Sequence, residues 1–101
     1  MKESCRAYLD EQFGDADVVA EIYGEYVSSA REKIGEAGSL LADADWTRLD
    51  RTAHTIKGNA LAAGDQEMAD AAISLRKAAA LGDAGQAAAL VERMRGLAKG
   101  L

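Results

Sequence analysis

The sequence predicts an all-α fold, an antiparallel up-and-down four-helix bundle with one short additional helix at the N-terminus, and three observations predict it. Alanine supplies 22 of the 101 residues, proline none, and no segment alternates apolar and polar residues with the period of a strand. Alanine is the best helix former and proline the worst. Valine, isoleucine, leucine, methionine, phenylalanine, tryptophan, tyrosine and cysteine together give only 27 residues, so a core this rich in alanine requires closely approaching helices. A chain of this length buries roughly 60–70% of its unfolded surface, so nearly every apolar stripe must be used. One domain over residues 1–101 follows.

Five segments follow from their punctuation. The first runs roughly from Lys2 to Phe13, with Cys5, Tyr8 or Leu9, and Phe13 as a weak stripe before Gly14. The second begins after Asp15 or Asp17, either of which can cap it. Its stripe is Val19, Ile22, Tyr23, Tyr26, Ala30, Ile34, Ala37 and Leu41, and Gly35 and Gly38 weaken its end. Asp45 is the cap of the third, whose stripe of Trp46, Leu49, Ala53, Ile56, Ala60 and Ala63 steps by three and four. Gly64 closes it, and Asp65 opens the fourth, with Met68, Ala72, Leu75 and Ala79 before Gly82. Asp83 with Gln86 resembles a capping box ahead of Ala87, Leu90, Met94, Leu97 and Leu101. Short Gly-Asp joints make the neighbouring helices antiparallel. Tyr23, Tyr26 and Trp46 are expected in the core; Tyr8, Leu9 and Phe13 either cover one end of the bundle or contribute to a docking surface, and the core is the preferred reading.

Charge and cysteine content exclude several classes. Twelve Lys and Arg against 17 Asp and Glu give a net charge of −5, which argues against nucleic acid as the partner. The single Cys5 excludes an internal disulfide and fits a reducing compartment. No apolar run is long enough to cross a membrane, and the N-terminus lacks the apolar segment of a signal peptide. A cytoplasmic, monomeric protein is expected, and Met1 with the clean end at Leu101 favours a free-standing one. A metal site is not expected: the acidic residues fit capping and solubility, and one histidine cannot build a di-metal site.

His54, the only histidine, is rotated about 100° from Ala53 and about 200° from Ile56, so it points away from the apolar stripe. An exposed histidine on a solvated face is ordinary, but two neighbours alter that reading. Gly58 sits in mid-helix, where glycine costs roughly 1 kcal/mol against alanine, in a chain that uses alanine freely. It leaves the imidazole open to another molecule. Lys57 places a cation about one turn away. An ordinary imidazole, with a pKa near 6.5, is mostly neutral and nucleophilic at pH 7, and a cation offsets the charge of a phosphorylated ring.

The stretch from Arg51 to Leu81, with Ala53-His54-x-x-Lys57-Gly58, then Ala60, Gly64, Met68 and Leu75, followed by Gly82-Asp83, resembles the core of a histidine-containing phosphotransfer (HPt) domain. Lysine and glycine at those two offsets from a histidine would coincide by chance about once in two hundred trials. The resemblance implies that His54 accepts a phosphoryl group from a receiver-domain aspartate and passes it to another receiver, in a multistep His–Asp phosphorelay. It makes Lys57 the stabilising cation and Gly58 the clearance residue. Arg51 and Leu61 are further candidates on the docking face, with Ala62 beside Leu61. The family carries a polar residue, often glutamine, just past the leucine matching Leu75. Here Arg76 stands there, either as a phosphate contact or as a solvated side chain. Asn59 replaces the usual Ser or Ala and is assigned to packing.

The implied partners are receiver domains of response regulators and hybrid histidine kinases. Any Mg²⁺ is expected on the receiver, so this chain needs no cofactor. No ATP-binding motif appears, so it is not expected to act as a kinase. The alternative is a bundle of the same fold that binds a signalling partner without carrying phosphate. A histidine-kinase dimerisation bundle fits less well, because Thr55 follows the histidine and proline is absent.

Overall fold

The computed structural model describes residues 1–101 and contains five α-helices and no strand. These are α1 (Glu3–Phe13), α2 (Ala16–Ala42), α3 (Trp46–Ala63), α4 (Gln66–Leu81) and α5 (Ala84–Lys99). Helices α2 to α5 form a closed ring in which α2 meets α3, α3 meets α4, α4 meets α5 and α5 returns to α2. Helix α1 lies against α2 and α3. The Tyr23 hydroxyl, near the start of α2, donates to the Leu101 carbonyl beyond the end of α5 at 3.3 Å. The first and last helices of the ring are therefore antiparallel.

The same joint recurs three times. Ala44-Asp45, Gly64-Asp65 and Gly82-Asp83 each place a left-handed residue before an aspartate. In each, the aspartate N–H bonds back to a carbonyl of the preceding helix, as Asp45 to Leu40, Asp65 to Ala60 and Asp83 to Ala78. The aspartate side chain then accepts from the third residue of the next helix, Arg48, Met68 or Gln86. One short unit thus satisfies orphan groups of two helices and reverses the chain. The sequence reading found the two glycine joints and missed the third, because Ala44 at φ 52° carries no glycine to announce it.

Twelve of the 26 core residues are alanine. They are densest on α4, which buries Ala69, Ala71, Ala72, Ala78 and Ala79 beside Met68 and Leu75 and so can lie close to α3 and α5 at once. Helix α2 continues through Gly35 and Gly38 to Ala42, and Gly38 leaves space for the Arg95 guanidinium of α5. The expected core needs adjustment at its ends. Leu9 and Cys5 are buried, but Tyr8 and Phe13 are exposed and Trp46 is only half-buried. Tyr8 instead lies over Gly64, where an added Cβ would collide with the ring. Leu40 enters the core and Leu41 is half-buried, while Thr52 and Val91 join the core from outside the predicted stripes. No helix is long and apolar enough to cross a membrane.

Asp65 is fully buried, and it is fully partnered. Its carboxylate accepts from the Tyr26 hydroxyl at 2.6 Å, from Lys2 Nζ at 2.7 Å and from the Met68 N–H at 3.3 Å. The Lys2 N–H donates to the Tyr23 hydroxyl at 3.0 Å. Burial works against the Lys2 ammonium, but its bonds to Asp65 and Glu67 outweigh that and raise its pKa. Burial, then the bond to Asp65, pushes the Tyr26 phenol well above its ordinary value.

Removing one partner from a buried charged cluster strands the others, so Asp65→Ala is expected to cost about 3–5 kcal/mol in urea unfolding. Tyr26→Phe is expected to cost about 1.5–3 kcal/mol, the worth of a hydrogen bond to a charge. Both raised pKa values mean that the folded chain holds these protons more tightly than the unfolded one. Their contribution is complete below about pH 10 and is lost as the pH rises beyond the ordinary tyrosine and lysine values. The melting temperature should fall in that range, and less steeply in Tyr26→Phe. Ala44→Gly is expected to gain about 1 kcal/mol by relieving the left-handed alanine.

Candidate functional site

Helix α3 turns its apolar face, with Leu49, Ala53, Ile56 and Ala60, into the bundle and leaves His54 exposed on the opposite side. Its flank toward α2 is fixed by two polar contacts. Thr52 Oγ1 donates to Glu36 Oε1 at 3.3 Å, and Asn59 Nδ2 donates to Ser29 Oγ at 3.1 Å. The packing role expected for Asn59 is therefore a specific hydrogen bond. These contacts set the rotation of α3, and hence the direction of His54.

The other flank of His54 meets α4. Arg76 Nη1 lies 3.1 Å from His54 Nδ1, and Arg76 Nε donates to Asp50 Oδ1 at 2.9 Å. Asp50 and His54 stand one turn apart on α3, so the half-buried guanidinium bridges both across the helix interface. Arg76 is thus engaged with the ring and a carboxylate while its side chain stays partly exposed. His54 Nε2 has no partner within the chain.

Arg51, Lys57, Ile73, Arg76 and Lys77 line one open groove between α3 and α4, with Asp50 and Trp46. Four cations face one carboxylate there, although the chain as a whole carries −5. Neither Arg51 nor Lys57 forms an ion pair, so both charges remain available. Gly58 is exposed, and an added Cβ would meet nothing within 4 Å. The same holds for Gly24, Gly35 and Gly96; only the position one turn from His54 sets Gly58 apart. Leu61 is exposed but lies two turns along, in a separate depression with Ser4, Tyr8 and Gln66.

Arg51, His54, Lys57, Gly58 and Arg76 therefore share one face, and Leu61 marks its far edge. Sequence reasoning missed Ile73, Lys77 and the pairing of Asp50 with Arg76. The Asp50–Arg76 pair is separated by 26 residues, and no local spacing announces a contact between helices. The available signal was the helical phase of Arg76 on α4, three residues past Ile73.

Because nothing within the chain occupies the space beside Gly58, Gly58→Ala is expected to raise stability by about 1 kcal/mol in thermal unfolding, the ordinary helix-propensity difference. A loss of stability would mean that the glycine answers to packing within the bundle.

A family model described as Hpt domain matches residues 21–101. Neither a curated protein nor a solved structure matches the chain.

Proposed function

The chain belongs to the Hpt domain family, and from that premise we propose that His54 carries a phosphoryl group between receiver-domain aspartates. Hpt domains serve phosphotransfer in His–Asp phosphorelays as carriers without kinase activity of their own. The observation that supports His54 as the acceptor is its setting: the single histidine is exposed, keeps Nε2 unpartnered, and stands on a cationic ledge in an acidic protein.

In the proposed transfer, the Nε2 lone pair attacks the phosphorus of a receiver aspartyl phosphate in line. The N–P bond forms, the acyl O–P bond breaks, and its electron pair returns to the receiver carboxylate. The proton on Nδ1 leaves to water, so the product ring is neutral. Lys57 and Arg51, both without internal partners, offset the charge of the phosphoryl oxygens. Gly58 lets the receiver surface approach the ring. Leu61 and Ile73, both exposed, give that surface apolar contact at either edge. The reverse reaction with a second receiver discharges the protein. The receiver contributes its own acidic pocket and metal, and the chain works as a monomer in a reducing cytoplasm.

Incubation with a phosphorylated receiver should move acid-labile phosphate onto the wild-type protein and none onto His54→Gln. Equal labelling of that variant overturns the assignment. Receiver binding with no labelling of the wild type would instead favour a module that binds without carrying phosphate. Lys57→Ala should slow transfer about tenfold, equivalent to ~1.4 kcal/mol in the barrier. Gly58→Phe should slow it at least as much while the melting temperature is kept.

A further inference from the structure

A guanidinium donates hydrogen bonds and accepts none, so the 3.1 Å contact between Arg76 Nη1 and His54 Nδ1 requires a lone pair on Nδ1. In a neutral imidazole the proton then sits on Nε2. Arg76 is itself aimed: its Nε donates to Asp50 Oδ1 at 2.9 Å, and the side chain is half-buried between α3 and α4. The other charges of the groove are Arg51, Lys57 and Lys77, all cations. Helix α2 meets α3 on its other flank, with Glu36 engaged by Thr52. Asp50 is the one anion among these groove charges, and it is held by Arg76. Nothing within the chain therefore favours a proton on Nδ1.

Resting on the reading of His54 as phosphoacceptor, we infer that Arg76, aimed by Asp50, is a positioning residue that keeps Nδ1 of His54 a hydrogen-bond acceptor and thereby lengthens the life of the phosphorylated state. Attack by Nε2 needs the lone pair on Nε2 and so the proton on Nδ1, directly toward Arg76. Arg76 has to withdraw for that step. Once the N–P bond has formed and the Nδ1 proton has passed to water, Nδ1 again has a lone pair and Arg76 can donate to it. Breaking the N–P bond is easiest when Nδ1 is protonated, because the imidazole then leaves as a neutral molecule. A cationic donor at Nδ1 opposes that proton, whether the phosphoryl group goes to water or to a carboxylate. Arg76 thus favours the resting and loaded states over the transfer between them. A docking receiver gains control of the rate if its acidic surface draws the guanidinium aside.

Two measurements on the full-length chain test this. Long-range proton–nitrogen NMR spectra of the unphosphorylated protein, at about pH 8.5 where an ordinary imidazole is neutral, read the tautomer directly. The wild type should show the Nε2–H form, and Arg76→Ala and Asp50→Asn should show a mixture. For the second, the proteins are loaded with phosphoramidate and the decay of phosphohistidine is followed by phosphorus NMR. The half-life should fall about tenfold in Arg76→Ala, the loss of one charge-assisted hydrogen bond. Arg76→Gln, which still offers an N–H, should lie between. An Nδ1–H ring in the wild type, or equal half-lives in wild type and Arg76→Ala, overturns the inference. Neither measurement uses a receiver, so failed exchange with receivers together with these two results removes the relay reading alone. Failure of phosphoramidate to load His54 overturns the phosphoacceptor premise and, with it, the effect on the loaded state.

Discussion

The fold turns on one buried carboxylate. Asp65 belongs to the joint between α3 and α4, yet it binds Tyr26 of α2, Lys2 ahead of α1, and the first turn of α4. A single side chain thereby ties four elements together at one end of the bundle. Burying that charge is tolerable only because its oxygens are supplied with donors, two of them from distant parts of the chain. Its neighbour Gly64 has to be left-handed for the chain to turn there, and Tyr8 closes over it. Together they fix where α3 ends and α4 begins.

That junction matters for the site because His54 and Arg76 lie on the two helices it joins. Their contact requires α3 and α4 to keep a particular register and rotation. The Asp65 joint sets the register, and the Thr52–Glu36 and Asn59–Ser29 bonds set the rotation from the other side. Alanine contributes in a different way. With Ala71, Ala72, Ala78 and Ala79 buried, α4 comes close enough to α3 for a half-buried arginine to span Asp50 and the imidazole. Larger side chains at those positions would move the helices apart and break the bridge.

The charge distribution separates two duties of the surface. The acidic excess is spread over helix caps and solvated faces, where it serves termination and solubility. The groove beside His54 reverses the sign locally, with Arg51, Lys57, Arg76 and Lys77. Only Arg76 among them is committed to a carboxylate within the chain. This difference separates the cation engaged with the ring from those left without a carboxylate partner in the chain, a distinction that residue type alone does not make.

The sequence by itself determined the helices, most of their caps and the outward direction of His54, because capping, helical period and turn chemistry act over a few residues. It also placed Lys57 and Gly58 beside that histidine, since three- and four-residue offsets share a helix face. What it left open were relations between helices. Tyr8 looked like core until α1 was seen to lie across Gly64, and Ala44 gave no sign of a left-handed joint until the chain was closed around it. Arg76 was equally compatible with solvent or phosphate while α4 was considered alone. Only the packing of α4 against α3 brought it to Asp50 and to Nδ1 of His54, because a contact over 22 residues is decided by register and rotation, which no local pattern encodes.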